Sequence, residues 1–205
     1  MSSPKQPHWL VAGHPSSQPD VVMREFQLGD VEVLAISSAE DIPTEFDELD
    51  AFALIVNAKT GVSPAMIDLW ARIAERQIPR LVIVNGLELS EIDFDDIVLI
   101  LNRVLENVIT PYLVLHDELG EPTGLISLAD GIIHDYSNGI LSEYPADEEL
   151  ISLVKDFKEE LDLATAELDD SAYAQGLLVP AIPFVESKRI GSSEIVRLAH
   201  ILTKR

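Results

Sequence analysis

Two short stretches carry residue types suited to phosphate and base recognition. The first, Gly13-His14-Pro15-Ser16-Ser17-Gln18-Pro19-Asp20, follows the apolar run His8 to Ala12 and precedes a segment whose Val21, Val22 and Phe26 repeat at helical spacing. Strand, glycine-bearing loop and helix is the setting in which backbone N–H groups and a lysine cradle phosphate while a Ser or Thr hydroxyl holds magnesium. Here Pro19 has neither an N–H nor a charge, and Asp20 brings a carboxylate to the end of the loop. The second stretch, Asn85-Gly86-Leu87-Glu88, follows an apolar run at Leu81 to Val84. Loops at the carboxyl ends of parallel strands are where open α/β sheets hold ligands.

Other candidate chemistry lacks a pattern. His116, His134 and His200 have no ligand spacing, so no metal site is expected from them. The acidic groups Glu45-Phe46-Asp47-Glu48, Asp93 to Asp96 and Asp169-Asp170 lack the glycine-bearing loop of an EF-hand and read as solvated loops and helix starts. No nucleophile, base and orienting group can be assembled from position, so no catalytic residue is assigned.

The elements that must position the two stretches are legible. Phe52 to Val56 and Leu81 to Val84 are continuous β-branched runs, as in strands buried on both faces of a parallel sheet. Between them Ser63 can cap a helix with Pro64 as its first residue, and Met66, Leu69, Trp70 and Ile73 share one face. This is a βαβ unit, and the fold class expected is three-layer α/β, a mostly parallel sheet flanked by helices.

Elsewhere the pattern predicts a helix from about Gln18 to Leu28 stopped by Gly29, and a strand at Val31 to Ile36. A helix to about Leu105 follows Ile92-Asp93-Phe94, with a strand at Thr110 to Leu115. A long acidic helix spans Asp147 to Leu168, with apolar positions Leu150, Leu153, Val154, Phe157, Leu161 and Ala164. A closing pair places a strand at Leu177 to Val185 and a helix at Ser192 to Leu202, capped by Ser192 or Ser193, with Lys204 and Arg205 at its negative end.

Composition bounds the rest. The 205 residues, 47% hydrophobic, suffice for one domain with a substantial core. There is no cysteine, and no apolar run is long enough to cross a membrane, which fits a cytoplasmic protein without membrane contact. With 36 acidic against 14 basic residues the net charge is −22, which disfavours direct nucleic-acid binding and leaves a basic protein partner open.

Taken together, the motifs resemble the nucleotide-binding (G) domain of the translational GTPases, specifically elongation factor G, with a P-loop GTPase-like fold. Gly13-His14 match the opening of that family's G-H-x-D-x-G-K-T, whose second glycine, lysine and threonine fall on Gln18, Pro19 and Asp20. Asn85 matches the asparagine of N-K-x-D, whose lysine and aspartate fall on Gly86 and Glu88. After the strand at Val31 to Ile36 no D-x-x-G follows through to Phe46, and the segment carrying the family's magnesium-binding threonine is missing. The family's guanine-contacting G-S-A falls on Phe184, Val185 and Glu186.

Gly124-Leu125-Ile126-Ser127-Leu128 and the acidic segment from Glu160 to Asp170 resemble parts of the insert of the elongation factor G domain. The resemblance thus implies one degenerate G domain over residues 1–205, with residues about 107–175 as the insert-like region containing the long acidic helix. If each lost charged hydrogen bond is worth about 1.5 to 3 kcal/mol, losing two or three weakens nucleotide binding by about a thousandfold or more. The expectation is a non-catalytic pseudo-GTPase without cofactor, acting through protein contacts, with the translation machinery as the implied setting. The alternative is a GTP-binding translation factor with a rebuilt site that uses GTP or GDP with magnesium. Residual nucleotide contacts would come from Gly13, His14, Asn85 and Glu88: Asn85 and Glu88 could read a base edge or be a strand-ending asparagine and a surface acid, and His14 could be a loop ligand or a turn residue. An unrelated small-molecule enzyme using the same crevice is a third reading.

Overall fold

The computed structural model describes residues 6–25, 30–46, 48–89, 92–106, 108–169 and 171–204. Its strands are β1 (His8–Gly13), β2 (Asp30–Ala35), β3 (Ala51–Asn57), β4 (Arg80–Asn85), β5 (Tyr112–His116), β6 (Pro122–Ser127), β7 (Ile132–Asp135), β8 (Ser142–Pro145) and β9 (Ala181–Pro183). Its helices are α1 (Pro19–Met23), α2 (Pro64–Glu75), α3 (Phe94–Val104), α4 (Glu148–Leu153), α5 (Lys155–Thr165), α6 (Ser171–Ala174) and α7 (Ser192–Leu202).

The continuous apolar runs of β1, β3 and β4 become the middle of a five-stranded, all-parallel sheet in the order β2-β1-β3-β4-β9. Every residue from Ala51 to Val56 is buried, which is why this strand is apolar without alternation. The expected α/β class is the observed one.

Local chemistry sets α2 as expected. The Ser63 hydroxyl accepts the Met66 N–H at 3.3 Å, Pro64 opens the helix, and Met66, Leu69, Trp70 and Ile73 are buried against the sheet. At the other end of the unit Arg80 is buried and meets Glu106 through two bonds, Nε to Oε1 at 2.7 Å and Nη2 to Oε2 at 2.8 Å. Trp70 Nε1 donates to the same Oε1 at 2.9 Å, so the chain beyond α3 is tied to the start of β4.

Several expected elements are shorter or divided. The helix read from Gln18 to Leu28 is Pro19–Met23, starting after Gln18, which is left-handed at φ 48°, and capped at Arg24; Phe26, Leu28 and Gly29 lie outside the described residues, as do Asp47, Asp170 and Arg205. The long acidic helix is interrupted at Val154, which turns into a second apolar cluster with Leu161 and Ile126, and α5 ends at Thr165. Leu153 and Phe157, expected on its apolar face, are 76% and 37% exposed. The strand read from Leu177 to Val185 reduces to Ala181–Pro183, preceded by Pro180, which has no N–H to give to β4.

The strand read at Thr110 to Leu115 is β5, and it does not extend the parallel sheet. It opens a separate antiparallel sheet, β5-β6-β7-β8, with Tyr112 opposite Ser127 and Ile133 opposite Tyr144. Neither Ser192 nor Ser193 caps α7. Its N-cap is Gly191 at φ 89°, placed there by the close approach of the Pro183 carbonyl.

Candidate functional site

The carboxyl ends of β1, β3 and β4 gather the two stretches singled out above, with Asn57 and Asn85 side by side in register. The loop from Gly13 closes into a 3-10 turn at Pro15–Ser17. The His14 ring caps this turn: Nδ1 accepts the Ser16 N–H at 3.2 Å and lies 2.7 Å from Ser16 Oγ, which is 3.0 Å from Thr60 Oγ1. The Ser17 N–H donates to the His14 carbonyl at 2.8 Å, and the Gln18 N–H to the Pro15 carbonyl at 3.2 Å. Ser17 is fully buried, and its hydroxyl donates to the same His14 carbonyl at 2.7 Å. Pro15 and Pro19 have no N–H to offer. The amides of Ser16, Ser17 and Gln18 are therefore bonded within the loop itself.

The asparagines fasten this closed turn. Asn85 Nδ2 donates to the Ser17 carbonyl at 2.6 Å, and Asn57 Nδ2 to the Ser16 carbonyl at 3.4 Å. Asn85 Oδ1 is buried with no hydrogen-bond partner, the one unsatisfied acceptor aimed at this end of the sheet among the described residues. Gly86 stands where the resemblance places a lysine, at φ 73°, and a Cβ there would come 2.5 Å from Asn57 Nδ2. A lysine side chain cannot enter without displacing the asparagine. Glu88 follows in the turn Leu87–Leu89 and is exposed.

After β2, the neighbouring loop is closed in the same manner. Asp41 Oδ2 accepts the N–H groups of Ser37 at 2.7 Å and Ser38 at 2.8 Å, and these amides hold its carboxyl below the usual aspartate range. A side-chain carboxylate thus occupies the amide pair that follows this strand. The sequence reading passed over Asp41; its signal was the capping-box spacing from Ser38 to Asp41.

The structure gathers Gly13, His14 and Asn85 at the carboxyl end of the parallel sheet, with Glu88 in the turn that follows β4, and adds Ser16, Ser17, Asn57 and Thr60. The histidines at 116, 134 and 200 lie apart from this crevice, and His134 belongs to a second polar cluster. Glu194 on α7 is 1% exposed; its Oε1 is bonded by His134 Nδ1 and its Oε2 accepts from the Tyr136 hydroxyl at 2.7 Å. On the same helix Arg197 donates to the Tyr112 hydroxyl, whose ring packs on His134 at 5.6 Å. Burial pushes the Tyr112 hydroxyl up to about 12 and raises that of Tyr136, while the hydrogen bond to Glu194 raises His134 against the opposing effect of its burial. This cluster locks the antiparallel sheet to α7, and sequence spacing carried no sign of it because its partners are about sixty residues apart. A cavity of about 360 Å³ between α3 and α5, lined by Val98, Leu99, Phe157 and Leu161, is likewise separate from the crevice. Among the described residues no group of three or more His, Cys, Asp or Glu is placed to hold a metal ion.

No family model matches the chain. Among curated proteins it is 28% identical over 137 residues to the mitochondrial ribosome-releasing factor 2 of Anopheles gambiae, a match covering 64% of this chain and 18% of that protein. Among solved structures, a crystal structure of a protein from Thermus thermophilus superposes with a TM-score of 0.75 over 97% of this chain and 40% of its own, at 19% identity. The chain therefore spans less than a fifth of the curated relative and two fifths of the solved one. Its fold is the α/β fold of that solved structure, and part of its sequence is similar to a ribosome-releasing factor.

Proposed function

We propose that this chain is a pseudo-GTPase domain that holds no guanine nucleotide and acts through contacts with proteins of the translation machinery. The observation that carries this is the closed loop: the Ser16, Ser17 and Gln18 amides are bonded to His14 and Pro15, so a phosphate could be gripped only after those bonds were broken. Asp20, at the first turn of α1, adds a negative charge where a polyphosphate would approach. The likeness to a ribosome-releasing factor supports the translational setting. The cytoplasm is the proposed location, and no helix among the described residues is long and apolar enough to cross a membrane.

The test is a titration of the purified chain with fluorescently labelled GTP and GDP, with magnesium present. Binding no tighter than millimolar is expected, and sub-micromolar affinity overturns the proposal.

A second reading is favoured by one observation, the unpartnered Oδ1 of Asn85, which could take a donor from a bound base. Under it the chain is a GTP-binding translation-factor-like GTPase whose loop reopens on binding. GTP turnover by the chain in the presence of ribosomes, abolished in Asn85→Ala, is what that reading requires.

A further inference from the structure

The parallel sheet ends at β2, whose outer edge pairs with no strand among the described residues. Ladder bonds fix which backbone groups face which way. The Asp30 N–H donates to the Pro7 carbonyl at 3.0 Å and the Ile36 N–H to the Gly13 carbonyl at 2.8 Å, so Asp30, Glu32, Leu34 and Ile36 point their amides toward β1. By alternation, Val31, Val33 and Ala35 point theirs outward, unpaired. This is a six-residue edge without a proline, a lysine or a bulge, the devices that usually block strand addition.

The edge is guarded only by charge of one sign. Asp30 and Glu32 lie exposed on one face of the strand, with His8 Nε2 at 3.9 Å from Glu32, while Val31 and Val33 are half-buried on the other. A second copy of the chain would bring the same acids and another net charge of −22 against this edge. A basic chain meets no such repulsion.

We infer that β2 is a docking edge for an extended segment of a basic partner protein, which adds a sixth strand and sets Lys or Arg against Asp30 and Glu32 and short apolar side chains against Val31 and Val33. The added strand bonds through the outward amides and carbonyls of Val31, Val33 and Ala35. This deepens the protein-contact reading by naming the surface, and it is independent of whether the crevice holds a nucleotide.

The experiment uses a fluorescein-labelled, amidated peptide of alternating Lys and Val, its counterpart of alternating Glu and Val, and fluorescence anisotropy with and without GTP and magnesium. The basic peptide is expected to bind and the acidic one to bind at least about tenfold more weakly. Val33→Pro removes an N–H that no ladder bond to β1 uses, so its far-UV circular dichroism should stay native while peptide affinity falls about tenfold. Glu32→Lys, which leaves the backbone untouched, should weaken the basic peptide and strengthen the acidic one. Equal binding of both peptides by wild type, unchanged affinity in folded Val33→Pro, or no charge response in Glu32→Lys overturns the inference. So does a wild-type dimer in sedimentation that Val33→Pro dissolves, since the edge would then belong to a second copy. Nucleotide binding in the parallel titration would overturn the pseudo-GTPase reading alone.

Discussion

Glu194 illustrates how a buried carboxylate can be tolerated in a chain this acidic: it has the Tyr136 hydroxyl at 2.7 Å on one oxygen and the His134 ring on the other. His134 also faces Glu143, at 3.8 Å from its Nε2, and feels the charges of Glu143 and Asp130, all of which favour its protonated form. Its folded value lies above the ordinary 6.5, so the stability this pair contributes is fully present below about pH 6.5 and is lost as pH rises through the raised value. Removing one partner of a buried charged pair costs about 3 kcal/mol or more. His134→Ala should therefore lower urea stability by about that much near pH 5.5, and by visibly less near pH 9. A gap of equal size at both pH values would show that the ring matters only through packing. In the crevice, Asn57 and Asn85 fasten the loop by donating to the Ser16 and Ser17 carbonyls.

At the level of elements, caps separate what local sequence can arrange from what packing imposes. Ser63 caps α2 through its own hydroxyl, so Ser63→Ala should cost about 1 kcal/mol, as such caps do elsewhere. α7 starts differently: Gly191 is left-handed at φ 89°, and a Cβ on it would lie 2.0 Å from the Pro183 carbonyl oxygen, which is backbone and cannot give way cheaply. Gly191→Ala is expected to cost about 3 kcal/mol, through both strain and displacement of α7 from the Glu194 cluster. Urea titration of the two variants side by side checks the order; a smaller loss in Gly191→Ala than in Ser63→Ala would contradict it. α4 and α5 show a further limit of periodicity. Its spacing marks Leu153 and Phe157 as inward, yet the interruption at Val154 rotates the stripe so that only Val154 and Leu161 end up buried.

Across the molecule, a net charge of −22 on 205 residues means that folding gathers many like charges. Pairs such as Lys155 with Glu159 and Lys158 with Asp162 are exposed and offset little of this. Raising ionic strength from about 0.01 to 0.15 M shortens the screening length from about 30 to 8 Å. Thermal stability should rise over that range. A melting temperature that falls, or does not move, would mean that the acids are held by specific partners rather than repelling one another. Two sheets share this one molecule, tied both by the polar Glu194 cluster from α7 to β7 and by apolar packing in which Tyr112 and Leu125 join the main core.

The parallel sheet was legible in the chain because strands buried on both faces must be apolar throughout, and β1, β3 and β4 show that without reference to anything distant. The Ser63 cap, the buried face of α2 and the departures at Gln18, Pro19, Asp20 and Gly86 were legible for the same reason: each depends on residue type at a fixed local spacing. Tertiary structure alone decided the rest. The Ser17 carbonyl is held by the Asn85 side chain, sixty-eight positions away. The break at Val154 and the burial of Glu194 likewise arise from partners remote in sequence, and local periodicity holds no record of contacts made across such separations.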